Sequence, residues 1–418
     1  MVSALWQRGF RLLWSAQTVS ELGSAVTLVA FPLVAIGVLH ASNFEVGVIT
    51  ASSNAAWLLV GLPAGVWVDR WPRRPVMIVT DLGRAVLMAS IPLAWGLGVL
   101  SVAQLITVAL LGGVLTVFFN VANTAFLPAV VGTDRLADGN SALQASFAAA
   151  GIAGPSLGGG LVQLLGAPGA VIADAASFMV SALCVLRIRT TEPRSPVPAD
   201  SLPVRRRLSA EVGEGVRYVL GNPLTRVIVS GVTLANFVIG GFDAVVFVFL
   251  ARQLGLRAAV VGLLFAIGGV GALGGSILAG TLARRFGGGR LLWMSSAVEA
   301  AGSLLIPLTT PGWGLAWFVV GMLVLSAAGA AFNVYAITAV QRDTQARLLG
   351  RVFASTRLFT RGGIALGGLV GGALASVASP RTALAILMAL TVLPPLWMRF
   401  SPVGRYNSVR NELSEADH

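Results

Sequence analysis

Residues 61–74 read Gly61-Leu62-Pro63-Ala64-Gly65-Val66-Trp67-Val68-Asp69-Arg70-Trp71-Pro72-Arg73-Arg74. One long apolar run ends in this stretch and another begins just after it. Gly61 and Gly65 are four residues apart and share a helical face, which predicts a close helix neighbour on that side. Asp69 stands at the helix exit, where a carboxylate can accept hydrogen bonds or face the positive N-terminus of another helix. Arg70, Arg73 and Arg74 crowd into the turn where lipid gives way to water, which places that turn on the cytoplasmic side.

The rest of the composition agrees with a membrane setting. The chain has 418 residues, 56% of them hydrophobic and only 11% charged, with a mean hydropathy of +0.83. A water-soluble fold could not bury that much apolar surface, so the chain reads as an all-α polytopic membrane protein. Its 50 glycines fit helices in lipid, where small residues bring backbones together. The net charge of +12 comes from arginines placed at helix ends, an arrangement that argues against a nucleic-acid partner. Cys184 is the single cysteine, so no internal disulfide can form, and with only His40 and His418 beside it there is no zinc-type ligand set. The N-terminal apolar run is too long for a cleaved signal peptide and should stay as an anchor.

Hydropathy places spans near 11–38, 45–68, 75–98, 102–128, 138–165 and 168–188, and again near 224–250, 258–283, 290–310, 313–340, 348–376 and 380–399. Twelve spans leave both termini on one side. With that side cytoplasmic, 23 arginines lie inside, Arg252, Arg257 and Arg381 outside, and Arg84, Arg357 and Arg361 within spans. Thr191 to Pro203 reads as a linker. Arg205-Arg206-Arg207 follows, then Leu208, Val212, Val216 and Val219 at helical spacing, which predicts a short amphipathic helix on the inner membrane surface. The chain thus divides into a six-helix bundle over 1–188, a cytoplasmic linker with an amphipathic helix over 189–223, a second six-helix bundle over 224–400 and a cytoplasmic tail over 401–418.

The order G-x-x-x-D-R-x-x-R-R after the second span resembles the loop 2–3 motif of the major facilitator superfamily, with Pro72 where the family usually has Gly. An internal repeat points the same way. Ala64-Gly65 before Asp69-Arg70-Trp71 aligns with Ala279-Gly280 before Arg284-Arg285-Phe286, and Phe119-Asn120-Val121 recurs as Phe332-Asn333-Val334. The offsets, 215 and 213, are nearly equal, as a duplicated six-helix unit requires. The implied fold is the major facilitator arrangement, twelve transmembrane helices in two pseudo-symmetric six-helix bundles. Asp69 becomes Arg284 in the second half, so only the first half carries an acidic latch.

In the fifth span, Gly151-Ile152-Ala153-Gly154-Pro155-Ser156-Leu157-Gly158-Gly159 resembles the antiporter signature G-x-x-x-G-P-x-x-G-G of the superfamily, with Ala150 in place of its first glycine. Gly154, Pro155, Gly158 and Gly159 would then shape a bent, closely packed helix, and the resemblance implies export. Leu136-Ala137-Asp138-Gly139-Asn140-Ser141, Ala173-Asp174-Ala175-Ala176-Ser177-Phe178 and Glu214-Gly215-Val216-Arg217-Tyr218 resemble the bacterial branch of enterobactin and macrolide exporters.

Charges inside spans cost about 2.5–3.5 kcal/mol each on insertion scales and are candidate functional groups. Glu21, in the first span, is either a proton carrier or a member of a fixed ion pair or helix-packing hydrogen bond; its counterpart is Asn236. Asp243 and Asp174 are further proton candidates, Asp174 with a structural alternative, and Glu299 is expected to pair locally. Asp81 and Arg84, three apart, form a local pair or extend a cytoplasmic gate built on Gly61, Gly65, Asp69, Arg70, Arg73 and Arg74. Arg357 and Arg361 share a face and meet either gate carboxylates or an anionic part of the substrate. Candidate substrate contacts are Asn120, Asn123, Asn236 and Asn333 with Phe119, Phe237, Phe332 and Tyr335, although aromatic residues at helical spacing serve helix packing more often than ligand contact.

These residues predict a proton-coupled exporter of amphiphilic organic molecules such as drugs or antibiotics, working by alternating access. A dedicated siderophore or metabolite exporter, an importer and a non-transporting scaffold stand as alternatives. The expected partners are a small-molecule substrate, protons and the bilayer, for a monomer without cofactor, metal or nucleic acid, in a bacterial cytoplasmic membrane with both termini inside. The chain has no G-x-x-x-x-G-K-[ST] loop for ATP and no nucleophile–base grouping, so no enzymatic activity is expected.

Overall fold

The computed structural model describes residues 8–189, 204–345 and 348–401. Among them there is no β-strand. The helices are α1 (Arg8–Leu33, continued by a π-turn over Val34–Val38), α2 (Asn43–Arg70), α3 (Arg73–Gly96), α4 (Val102–Val131), α5 (Leu136–Leu186), α6 (Val204–Gly221) and α7 (Pro223–Phe247). After these come α8 (Ala258–Phe286), α9 (Gly288–Ser303), α10 (Leu315–Asp343), α11 (Leu349–Val377), α12 (Pro380–Leu390) and α13 (Leu393–Arg399). Eleven helical stretches are long and apolar enough to cross a membrane. One of them, α5, holds two spans. It turns at Gly166, whose φ of 75° and ψ of 162° fall where a side chain would clash, and Pro168 then fits the first turn of the returning arm. Twelve spans result. The last is split between α12 and α13, where Pro394 and Pro395 supply no N–H to continue the ladder.

Local signals set several starts. Ser42 and Glu45 form a reciprocal capping box at α2, Ser42 N donating to Glu45 Oε2 at 2.7 Å. Asn222 caps α7 by accepting from Thr225 N at 3.0 Å, with Pro223 in the first turn.

The chain forms two compact units, Met1–Val204 with Leu250–Ala266, and Arg205–Phe249 with Ile267–His418. In the first, α1 packs on α5, α2 on α4, and α3 on both α4 and the returning arm of α5. In the second, α7 packs on α11 and α9 on α10, while Gly271 and Gly275 bring α8 against α10. The pairing repeats. So do the cores: Leu13, Met77 and Phe119 lie in the buried cluster of the first unit, and Ile228, Leu292 and Phe332 lie in that of the second. α3 and α9 begin 215 residues apart, at Arg73 and Gly288.

The amphipathic helix α6 is not simply laid on a membrane surface. Val219 is buried in the core of the second unit, Gly215 sits against Arg351 O and Ser355, and Glu214 pairs with Arg351. Tyr218 Oη donates to Asp343 O at 3.0 Å. The side chains of Arg205, Arg206 and Arg207, Leu208 and Val212 lie outside the described residues.

Candidate functional site

The loop after α2 is organised by its aromatic residues and Arg74. Trp67, Trp71 and Phe118 of α4 stack, with ring centroids 5.9–6.3 Å apart. Arg74 Nε donates to Val185 O at 3.2 Å and Nη2 to Leu186 O, holding the last carbonyls of α5 as a basic residue does at a helix C-terminus. Arg70 is exposed and Arg73 half-buried. The Asp69 side chain lies outside the described residues. Among the described residues, the close helix neighbour expected at Gly61 and Gly65 is not seen. A Cβ at Gly65 would meet nothing within 4 Å, and one at Gly61 only Trp57 of its own helix. The α2–α4 contact runs along another face, where a Cβ at Gly113 would lie 2.6 Å from Ser53 O.

Asp81 and Arg84 do not reach that loop. They sit inside the first unit, with Asp81 0% and Arg84 4% exposed, joined as an ion pair. Ser181 Oγ donates to Asp81 Oδ2 at 2.7 Å. The Arg84 guanidinium lies between the rings of Phe119 and Phe178, 4.3 Å from each centroid, a desolvated cation–π contact on both faces. Its charge also acts on Asp174 and Glu21. Asp174 is 1% exposed and accepts from Ser177 Oγ at 3.2 Å. A Cβ at Gly23 would stand 2.7 Å from Asp174 Oδ1, so this carboxylate presses on α1 two residues beyond Glu21. Glu21 is half-buried and accepts from Gln17 Nε2 at 3.2 Å. Three carboxylates from α1, α3 and the returning arm of α5 thus share one guanidinium. An interior with more carboxylates than cations can load and release a proton as its neighbours move, with the titration belonging to the group.

Among the described residues, the second unit shows no such network. Asp243 is half-buried on α7 and Glu299 half-buried on α9. Burial alone, with no hydrogen bond or opposite charge, acts on either carboxylate. Phe332 and Tyr335 are buried in the core, as is Phe119 in the first unit. The backbone of Phe237 is where Gly363 and Gly367 of α11 approach α7. Asn236 Nδ2 donates to Val232 O at 2.8 Å. Asn120 is half-buried, Asn123 is 8% exposed with an unpartnered Oδ1, and Asn333 is exposed. Arg357 is exposed and Arg361 half-buried on α11, close enough for their charges to act on each other. Among the described residues no group of three His, Cys, Asp or Glu side chains could hold a metal ion.

The family model described as Major Facilitator Superfamily matches residues 13–368. The chain belongs to the major facilitator superfamily. It is 27% identical over 282 residues to the multidrug efflux pump Tap of Mycolicibacterium fortuitum, covering 66% of this chain and 68% of Tap. It is 25% identical over 383 residues to the enterobactin exporter EntS of Salmonella typhimurium, covering 89% of this chain and 86% of that protein. Its fold matches the crystal structure of the nucleoside transporter NupG with a TM-score of 0.78 at 14% identity, over 96% of this chain and 100% of NupG. This superfamily member is a multi-pass membrane transporter that binds small molecules within the bilayer.

Within it, the antiporter-like stretch of α5 is a packing surface on two sides. A Cβ at Gly158 would lie 2.8 Å from Val26 O of α1, and one at Gly154 would overlap Ala25. Gly159 faces the carbonyl of Ala258 at the start of α8, and Gly262 of α8 faces the carbonyl of Pro155. Sequence reasoning paired Asp81 with Arg84 but did not gather Glu21, Asp174, Phe119, Phe178 and Ser181 around them. Nothing in local spacing relates α1, α3 and the returning arm of α5. One signal did exist: the offset of 215 maps Arg84 onto Glu299.

Proposed function

We propose that this transporter is a proton-coupled exporter of amphiphilic small organic molecules, driven by a proton returning through the first unit. The observation that carries the reading is the buried set Glu21, Asp81 and Asp174 around Arg84. A buried charge surplus is costly in lipid and is kept where it works. Each returning proton supplies about 2.3 kcal/mol per 100 mV of membrane potential, and about 1.4 kcal/mol per pH unit. The direction is supported by two relatives, one an efflux pump and one an exporter. In this reading the chain is a monomer of two six-helix bundles in a bacterial cytoplasmic membrane, with both termini inside. Alternating access is gated by Asp69 with Arg70 and Arg73, on the loop that Gly61 and Gly65 precede and Arg74 anchors. Asn120, Asn123, Asn236, Asn333 and Phe237 offer substrate contacts.

The test uses everted membrane vesicles with ethidium as the probe. Respiration should drive ethidium inward, a protonophore that collapses both pH gradient and potential should abolish the uptake, and Glu21→Gln and Asp174→Asn should each reduce it. Uptake indifferent to the protonophore would remove proton coupling, and no uptake of ethidium or any other amphiphilic dye above empty vesicles would remove broad export. A second reading, a dedicated exporter of an anionic metabolite, is favoured by Arg357 and Arg361 on one face of α11 and by the longer match to EntS. An anionic catecholate that competes only when both arginines are present would select it.

A further inference from the structure

Glu299 is the counterpart of Arg84 under the repeat and, like Asp243, a span carboxylate on which burial alone acts. It lines a small cavity of about 10 Å³ inside the second unit, the size that holds a single water molecule. Leu234 and Val238 of α7, Phe332 of α10 and Pro394 of α13 supply apolar walls, and Ser296 and Thr391 supply two hydroxyls. The charged and titratable groups on the elements around it stand elsewhere. Asp243 and Arg226 on α7, Tyr335, Arg342 and Asp343 on α10, Arg290 on α9, Arg381 on α12 and Arg399 on α13 do not line the cavity. Among the described residues, no hydrogen bond or opposite charge acts on the carboxylate. An isolated carboxylate in apolar surroundings, with space for one water and two hydroxyls, is a place where a proton can be held and passed on.

We propose that Glu299 is a second proton-carrying residue, one in the second unit beside the cluster in the first, so that a transport cycle moves two protons. The proton arrives on the cavity water, forms the carboxylic acid at Glu299, and leaves the same way; Ser296 and Thr391 hold the water and are not titrated. The proposal rests on the proton-coupled reading above for its role in transport, but not for the proton site itself.

Two measurements on the full-length protein separate these. In lipid nanodiscs without substrate, infrared difference spectra between acid and alkaline pH should show a carboxylic C=O band that Glu299→Gln removes and Glu299→Asp retains. Spectra identical in wild type and Glu299→Gln overturn the proposal, as does a band that responds to sodium at constant pH. In everted vesicles with the membrane potential clamped to zero, Glu299→Gln should lower the steady-state ethidium ratio about tenfold per unit of pH gradient, the share of one proton. An unchanged ratio overturns the two-proton cycle. If wild type shows no pH-driven uptake while the band still disappears in Glu299→Gln, the coupling reading has failed and the Glu299 proton site stands.

Discussion

Position 84 in the first unit and position 299 in the second occupy matching places on matching helices, each near the phenylalanine that the repeat also matches, Phe119 or Phe332. In one unit the residue is a cation, in the other an acid. Arg84 is matched by three carboxylates and two rings; Glu299 is matched by nothing but a cavity and two hydroxyls. A permanent cation in lipid cannot shed its charge, so the fold must supply partners. A carboxylate can take up a proton and become neutral, so a small wet cavity suffices. Two copies of one scaffold have been given two solutions to a buried ionisable group.

The largest test of that contrast removes each group. Arg84→Ala leaves Asp81 buried and uncompensated and should cost about 3–5 kcal/mol, read as a large fall in thermal midpoint by tryptophan fluorescence in detergent. Glu299→Gln should be neutral or stabilising in the same assay. Equal losses would break the comparison. Asp81→Asn with Arg84→Met should recover most of the loss, because the pair then disappears together.

Close helix contacts give the next effect, and here the units should agree. Gly158→Leu in the first and Gly367→Ala in the second both drive a side chain into a facing backbone, at Val26 and Phe237, and each should cost about 1–3 kcal/mol. Gly65→Ala has free space and should be neutral or stabilise slightly through helix propensity; a loss there as large as at Gly158 would reinstate a close neighbour of α2.

The aromatic partners should again differ. Phe119→Leu removes one face of the cation–π sandwich and should couple to Arg84→Met by about 1–2 kcal/mol in a double-mutant cycle. Phe332→Leu should show no coupling to Glu299→Gln, and a coupling of equal size would mean that the two aromatic positions do the same work. The smallest effect lies at the helix caps. Asn222→Ala loses the α7 cap and the 2.7 Å bond from Asn222 Nδ2 to Asp343 Oδ2, and should cost somewhat more than Ser42→Ala, which loses a cap alone at about 1 kcal/mol. Thermal midpoints of the two variants side by side decide the order.

Much of the architecture was legible in the order of residues. The span positions, the closely packed stretch around Gly154 and Gly158, the duplication and the family came from hydropathy, glycine spacing and two repeated triplets, because lipid forces each crossing to satisfy its own backbone within a helix. Local chemistry was legible too where both partners were near in sequence, as with Asp81 and Arg84. Distant partnerships were not. Arg74 was assigned to a gate yet holds the end of α5, more than a hundred residues on. Phe119, Phe332 and Tyr335, which the sequence leaves between packing and substrate contact, lie buried in the helix cores; aromatic residues at helical spacing carry no mark of which side they face. Glu299 was expected to pair locally, and nothing local pairs with it.

Taken alone, the amino-acid order determined that this chain crosses a membrane twelve times as a duplicated transporter, since hydropathy and period are properties of neighbours along the chain. Only the tertiary structure decided which buried charges meet. The α1, α3 and α5 residues around Arg84 are brought together by helix packing, and Glu299 stands apart because the charged groups on the surrounding helices do not line its cavity.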